Sequence, residues 1–155
     1  MIVYAAETYK SVIGEIIPLL ERHYEEIALH KEFPLMPDFD KYEHLHDGSK
    51  LAIVTAREDL KLIGYAVFFV VVNAHYQTMT VAANDIIFID KPYRTGMTGI
   101  RLIAESEKHL RMLGVNRITW HVKPTLDWGK ILERKGYAAE EVVWAKMLKG
   151  EDHGS

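Results

Sequence analysis

A strand that passes into a Gly/Thr-rich loop and then directly into a helix constrains this chain more than any other feature of its sequence. The apolar residues 86–89 end at Asp90, the loop contains Gly96 and Gly99, and a helical pattern begins at once. The N-terminus of such a helix offers unpaired backbone N–H groups and a positive dipole end, which together favour a phosphate group. Glycines there let the backbone approach an anion without an intervening Cβ. The local pattern leaves open whether this loop binds phosphate or only forms a turn.

The remaining loop residues favour the phosphate interpretation. Thr95 and Thr98 offer hydroxyl donors, and Arg94 offers a permanent positive charge. No Gly-Lys-Ser/Thr follows, so the loop is not that of a nucleotide triphosphatase. The Gly-x-Gly-x-x-Gly spacing of dinucleotide-binding strands is also missing.

Composition excludes several classes of function. The 155 residues suit one domain, and the formal net charge of −3 comes without a Lys/Arg block, so we expect no nucleic-acid partner. The chain has no cysteine, which excludes disulfides, thiolate catalysis and thiolate metal sites. The longest apolar stretch, residues 65–72, is too short to span a bilayer, and no signal-peptide pattern is present. We therefore expect a cytoplasmic protein with no membrane partner.

Periodicity predicts a mixed α/β domain with a long irregular connection at residues 31–49, which has room for one helical turn. The helix that begins at Ser11 is expected to kink or split at Pro18. Further helices are predicted at residues 99–113 and 126–135. The predicted strands, with a hairpin turn at residues 73–77, are residues 2–5, 51–56, 62–72, 78–89, 117–122 and 142–148.

Residues 93–99 resemble the acetyl-CoA signature of the GNAT superfamily of N-acyltransferases, Arg/Gln-x-x-Gly-x-Gly/Ala. Arg94 and Gly99 fit this signature, Met97 stands where the middle glycine is expected, and Gly96 lies one position early.

The resemblance extends over nearly the whole chain and includes the closing Glu-Arg-Lys-Gly-Tyr of residues 133–137. It implies a single GNAT domain over residues 1–149 with a disordered tail at 150–155, built on a mixed sheet of about six or seven strands flanked by helices and splayed at the signature strand. The pair His75-Tyr76, taken with residues 93–96, is most similar to a subgroup found in bacteriophages and prophages.

The resemblance also implies acetyl-CoA as cofactor and direct acetyl transfer to a primary amine in a ternary complex. Backbone N–H groups of the signature strand would contact the thioester and pantetheine. By position, the residues implied in cofactor binding are Phe88, Ile89, Arg94, Thr95, Gly96, Met97, Thr98, Gly99 and Thr125.

Two residues are candidates for catalysis. Asp85 matches the position of the family's general-base carboxylate, and an unpaired charge would otherwise be costly in so apolar a strand. His121, on the neighbouring predicted strand, is the second candidate. The family often protonates the leaving thiolate from a tyrosine on its last helix, but here Leu132 occupies that position. Either another group donates this proton or the thiolate leaves unaided.

The acceptor side is expected to involve the 31–49 connection, which mixes acidic and aromatic residues and would suit a cationic amine. Phe39 and Tyr42 from this connection, with His75 and Tyr76 from the hairpin tip, are the candidate substrate-binding residues. The acids are equally typical of a solvated loop. His44 and His46 lack a clear third ligand, so no metal site is predicted.

The partner implied is a small-molecule or peptide amine, and dimers are common in the family, so a homodimer is possible. The irregular signature and the missing tyrosine motivate one alternative, a catalytically silent acyl-CoA-binding or phage-associated interaction protein with the same fold. A second alternative is a small α/β domain for another phosphorylated ligand.

Overall fold

The computed structural model describes residues 1–126 and 128–148. They fall into two compact units, one from Met1 to His121 and a smaller one from Val122 onward. The helices and strands, in chain order, are β1 (Ile2–Ala6), α1 (Tyr9–Ile27), α2 (Phe39–Asp47), β2 (Leu51–Glu58), β3 (Lys61–Val72), β4 (Thr80–Ile89), a 3₁₀ turn (Lys91–Tyr93), α3 (Thr98–Met112), β5 (Arg117–Thr119) and α4 (Gly129–Arg134).

The first unit is built on a five-stranded sheet in the order β1-β2-β3-β4-β5. Neighbouring strands are antiparallel from β1 to β4, and β5 joins β4 in parallel after the crossover through α3. This is the mixed α/β sheet that the sequence predicts, with five strands in the part of the chain that the structure describes, against the expected six or seven.

Each face of the sheet carries its own hydrophobic core. The strand alternation sends Tyr65, Val67 and Phe88 toward the core that contains the buried face of α1, with Tyr42 and Leu45 of α2 packed against it. The opposite face packs against α3 through Leu102 and Leu110. The site described below lies along β4, between these two layers.

Two local features of the first unit differ from expectation. Helix α1 is one helix and does not split at Pro18, because its buried residues Val12, Ile16 and Leu19 hold it against the sheet. The 31–49 connection contains α2, which has 9 residues and so exceeds a single helical turn. Asp38 caps this helix by accepting a hydrogen bond from the Lys41 N–H at 3.0 Å.

The second unit contains α4, which is shorter than the predicted 126–135 helix and is followed by Gly136 with a φ of +89°. Residues 142–148, predicted as a strand, are not assigned to one, and Trp144 is 92% exposed. A β-branched run favours extended backbone, but a strand also requires a paired neighbour. The predicted tail, residues 150–155, lies outside the described residues. No helix in residues 1–126 and 128–148 has the length and apolar character to cross a membrane.

Candidate functional site

A β-bulge in the middle of β4 sets the orientation of Asp85. Asn84 pairs with Phe68 and Ile86 pairs with Val67, so Asp85 is the extra residue between them. The Asn84 amide donates to the Val67 carbonyl at 3.3 Å and to the Ile86 carbonyl at 2.9 Å, which closes the irregular ladder. The bulge places Asp85 and Ile86 on the same face of the sheet, the α1 and α2 side, whereas consecutive residues of a regular strand face opposite sides.

The Asp85 carboxylate has a specific partner in α2. The Tyr42 hydroxyl donates to Asp85 Oδ2 at 2.7 Å. Burial raises the pKa of Asp85 above its usual value, while the Tyr42 hydrogen bond and the nearby His121 partly counter this shift. The carboxylate remains accessible to solvent. A reachable carboxylate with a raised pKa is suited to accept a proton from a bound ammonium group.

Two tyrosines surround this carboxylate. Tyr42 stacks on Phe69 with ring centroids 5.9 Å apart, and its pKa is raised by burial and by Asp85, so it stays protonated as a donor. Burial, followed by the charge of Asp85, likewise raises the pKa of Tyr65. The Tyr65 hydroxyl is buried and has no hydrogen-bond partner among the residues that the structure describes. The sequence did not single out Tyr65, because an aromatic residue in a buried strand is ordinarily a packing residue.

The pairing of β4 with β5 ends just before Asp85. Their parallel pairing covers only the start of β4 and ends at Ala83 and Thr119. Beyond that point the backbone alternation can be followed from the Asp90 N–H, which donates to the Ile63 carbonyl at 2.8 Å. In an antiparallel pair, alternate residues direct their N–H groups to the partner strand, so the N–H of Phe88 also faces β3. The N–H groups of Ile87 and Ile89 face the other edge of β4, where β5 no longer pairs.

The loop after β4 ends in an uncapped helix. Gly96 has a φ of +64°, a conformation that glycine adopts without strain. Met97 occupies the N-cap position of α3 and makes no side-chain hydrogen bond to its first turn, whereas Thr8 and Asp38 cap α1 and α2. A methyl group at Gly99 would meet only Ile89 Cδ1, at 3.5 Å, so the helix start is open to a ligand.

The side chains of this loop are not all directed to an anion. The Arg94 guanidinium forms a two-pronged ion pair with Glu26 of α1, in which Nη2 lies 2.7 Å from Oε2. Arg94 Nε also donates to the Ile89 carbonyl at 2.7 Å. The Thr98 hydroxyl donates to the Thr95 carbonyl at 3.4 Å. Arg94 thus fixes the end of β4 to α1, a contact that the signature did not reveal.

The other predicted substrate residues lie apart from this centre. His75 and Tyr76 are exposed on the β3–β4 turn, beyond the start of β4 at Thr80. The five residues from Thr80 to Asp85 place them roughly 15 Å or more away along the strand. Phe39 accepts a hydrogen bond from the Tyr9 hydroxyl through its backbone carbonyl at 3.1 Å. Thr125 belongs to the second unit.

A cavity of about 250 Å³ lies beside Tyr42, between α2 and β3. It is lined by Pro37, Asp38, Lys41, Tyr42, Leu45 and Phe69. The sequence analysis selected only Tyr42 from this set. The others could have been found from the start of α2, where Pro37-Asp38 precede apolar residues spaced three apart.

The fold of the chain matches that of solved acetyltransferases. An aminoglycoside acetyltransferase from an uncultured soil metagenomic sample, in complex with trehalose, superposes with a TM-score of 0.74 at 15% identity, over 96% of this chain and 97% of that one. The chain has the GNAT fold.

Two further structures show the same similarity. The ribosomal-protein-alanine N-acetyltransferase from Brucella melitensis biovar Abortus 2308 has a TM-score of 0.70 at 19% identity, over 97% of this chain and 100% of that one. A predicted acetyltransferase with acetyl-CoA from Clostridium acetobutylicum has a TM-score of 0.71 at 12% identity, over 99% of both chains.

Two comparisons based on sequence found no match. No family model matches the chain, and no curated protein matches it. The finer resemblance to a phage or prophage subgroup receives no support from the matching structures.

Proposed function

We propose that this protein is an acetyl-CoA-dependent N-acetyltransferase that acts on a primary amine. The observation that carries the proposal is the position of Asp85, a carboxylate with a raised pKa that lies at the bulge of β4, just past the point where pairing with β5 ends. The GNAT fold is consistent with this activity.

The donor set at the start of α3 fits the pyrophosphate of acetyl-CoA. The first-turn N–H groups have no side-chain cap, the glycine at position 96 gives the loop its positive φ, and Gly99 leaves space at the helix start. The Arg94 side chain is engaged by Glu26, so we assign pyrophosphate binding to backbone N–H groups of residues 95–99 and a positioning role to Arg94. Thr125 remains a predicted contact.

The edge of β4 beyond Ala83, which β5 does not pair, fits the acyl end of the same ligand. That ligand supplies an activated thioester. The outward N–H groups of Ile87 and Ile89 are suited to hold the thioester carbonyl oxygen and the pantetheine arm. This revises the assignment based on sequence, because the N–H of Phe88 faces β3. The side chains of Ile87 and Ile89 pack against the α3 core, which keeps this backbone in place.

Asp85 is placed to prepare the nucleophile. An ammonium group must lose a proton before it attacks, and Asp85 accepts that proton while Tyr42 holds the carboxylate in place. The nitrogen then forms a bond to the acetyl carbon and releases its second proton to solvent, while the carbon–sulfur bond breaks and its electron pair leaves on the CoA sulfur. His121 lies close enough to lower the pKa of Asp85, and we propose that it tunes this base. No proton donor to sulfur is assigned, because Leu132 occupies the family's tyrosine position.

The proposal is tested by melting the protein with acetyl-CoA, CoA or ATP and then measuring thiol release with amines. A ligand at 100 times its dissociation constant stabilises a protein by about 2.7 kcal/mol. We expect both CoA compounds, and not ATP, to raise the melting temperature, and thiol release to depend on an amine. Failure of acetyl-CoA to bind would remove the proposal.

A second candidate is a catalytically silent acyl-CoA-binding protein with the same fold. It is motivated by Leu132 at the family's tyrosine position and by Met97 in place of the middle signature glycine. The same experiment separates the two, because a silent binder is stabilised by acetyl-CoA but releases no thiol with any amine.

A further inference from the structure

We propose that the acceptor is a primary monoamine with an apolar body, which occupies the cavity between α2 and β3 and presents its amine to Asp85. This inference rests on the proposed function and specifies its substrate class. It sets this chain apart from the structural neighbour in complex with the aminoglycoside sisomicin, since an aminoglycoside carries several positive charges.

The walls of the cavity are suited to an apolar body. Pro37, Leu45, Phe69 and the Tyr42 ring form most of its lining, and the Tyr42–Phe69 stack provides a flat aromatic surface. The Tyr42 hydroxyl, at the far end of that ring, is the group bonded to Asp85. A ligand that lies along the ring therefore has an apolar wall beside its body and a carboxylate near its end.

The acids of the 31–49 connection do not gather around the cavity. Among the described residues, Asp38 is the one acid that lines it, and its carboxylate caps α2. Glu43 pairs with Lys10 at 3.0 Å. Asp40 is exposed on α2 and does not line the cavity. Asp85 is the carboxylate that the Tyr42 hydroxyl joins to the cavity wall, so it is the one placed to receive an ammonium group.

Lys41 adds a positive charge to the cavity rim. It lines the cavity and is exposed. A second or third ammonium group on a ligand would meet this charge, whereas a monoamine can direct its one charge to Asp85 and keep its apolar end near the lysine stem. The volume of about 250 Å³ lies below the roughly 300–1,000 Å³ of pockets for drug-sized ligands. Size and charge therefore favour the same ligand class.

The experiment compares phenethylamine and isoamylamine with spermidine and kanamycin. Initial rates of CoA thiol release give kcat/KM for each amine, and calorimetry on CoA-saturated protein gives binding without turnover. We expect kcat/KM for phenethylamine to exceed that for spermidine and kanamycin by roughly tenfold or more, because a like charge and a small apolar site both oppose the polycations. We also expect measurable phenethylamine binding.

Lys41→Glu tests the role of the rim charge, and Lys50→Glu is the matched control. Both lysines are exposed and undergo the same charge change, but only Lys41 lines the cavity. We expect Lys41→Glu to raise kcat/KM for spermidine roughly fivefold relative to wild type, by replacing a repulsion with an attraction. Lys50→Glu should leave the spermidine-to-phenethylamine ratio unchanged.

The outcomes separate this inference from the proposed function. Faster turnover of kanamycin or spermidine than of phenethylamine would overturn the monoamine inference and leave the N-acetyltransferase intact. Absence of phenethylamine binding to CoA-saturated protein would also overturn it. Equal effects of Lys41→Glu and Lys50→Glu would place the acceptor elsewhere. Failure to bind acetyl-CoA, or absence of thiol release with every amine, would count against the proposed function itself.

Discussion

Gly64 lies in β3 directly against the backbone of β4, and Gly64→Ala tests that geometry. A methyl group at this position would lie 2.9 Å from the Phe88 carbonyl oxygen and 3.0 Å from Ile89 Cγ1. The first contact is with backbone, so the strand itself must move. Overpacking of this kind costs about 1–3 kcal/mol. In a domain of this size each kcal/mol lowers the melting temperature by about 2–4 °C.

The assay is urea denaturation, with Gly99→Ala as the matched control for stability. A methyl group at Gly99 meets only Ile89 Cδ1 at 3.5 Å, an ordinary van der Waals distance. Because Gly99 lies in the first turn of α3, alanine there should leave stability unchanged or raise it slightly. If Gly64→Ala has the wild-type free energy of unfolding within about 0.5 kcal/mol, the close approach of the two strands is refuted.

Three further variants test the charges around the site. Glu26→Gln should cost about 1 kcal/mol at pH 7. Because the Arg94 hydrogen bond lowers the pKa of Glu26, that difference should persist above about pH 5 and shrink as denaturation is repeated at pH values falling through about 4. Asp85→Asn should stabilise the protein, because the raised pKa of Asp85 means that its ionised form destabilises the folded state. The variant should melt at a higher temperature than wild type at pH 7, and the difference should vanish at acidic pH. A lower melting temperature at pH 7 would contradict this expectation. Tyr42→Phe keeps the stack on Phe69 but removes the donor that lowers the pKa of Asp85, so the acidic limb of kcat/KM should move to higher pH; an unshifted limb would argue against Asp85 as the base.

Much of the fold follows from local sequence patterns. The apolar runs of β3 and β4, the amphipathic face of α3 and the end of that helix before Gly114 are local features that the structure retains. The last predicted strand, residues 142–148, did not form, because pairing depends on a neighbour that periodicity cannot identify. Helix α1 continues through Pro18 for the related reason that long-range packing outweighs a local penalty.

The site was predictable only in part. The strand that carries Asp85 and the loop around Gly99 are visible in the sequence, because both combine unusual residues with a clear local pattern. The Tyr42 hydrogen bond to Asp85 joins residues 43 positions apart, and the Arg94–Glu26 pair joins residues 68 positions apart. Neither pairing has a local signature. The bulge at Asp85, by contrast, has a local sign, because Asn and Asp are depleted in regular strands and stand here within an otherwise apolar one.

Binding of acetyl-CoA to wild type and to Gly99→Glu, measured by titration calorimetry, tests the central claim most directly. A glutamate in the first turn of α3 suits the helix dipole and has space at the backbone, so the variant should fold. Its carboxylate would stand where the pyrophosphate is proposed to lie. The account predicts binding to the wild type and none detectable to folded Gly99→Glu, while equal affinity for the two proteins would contradict it.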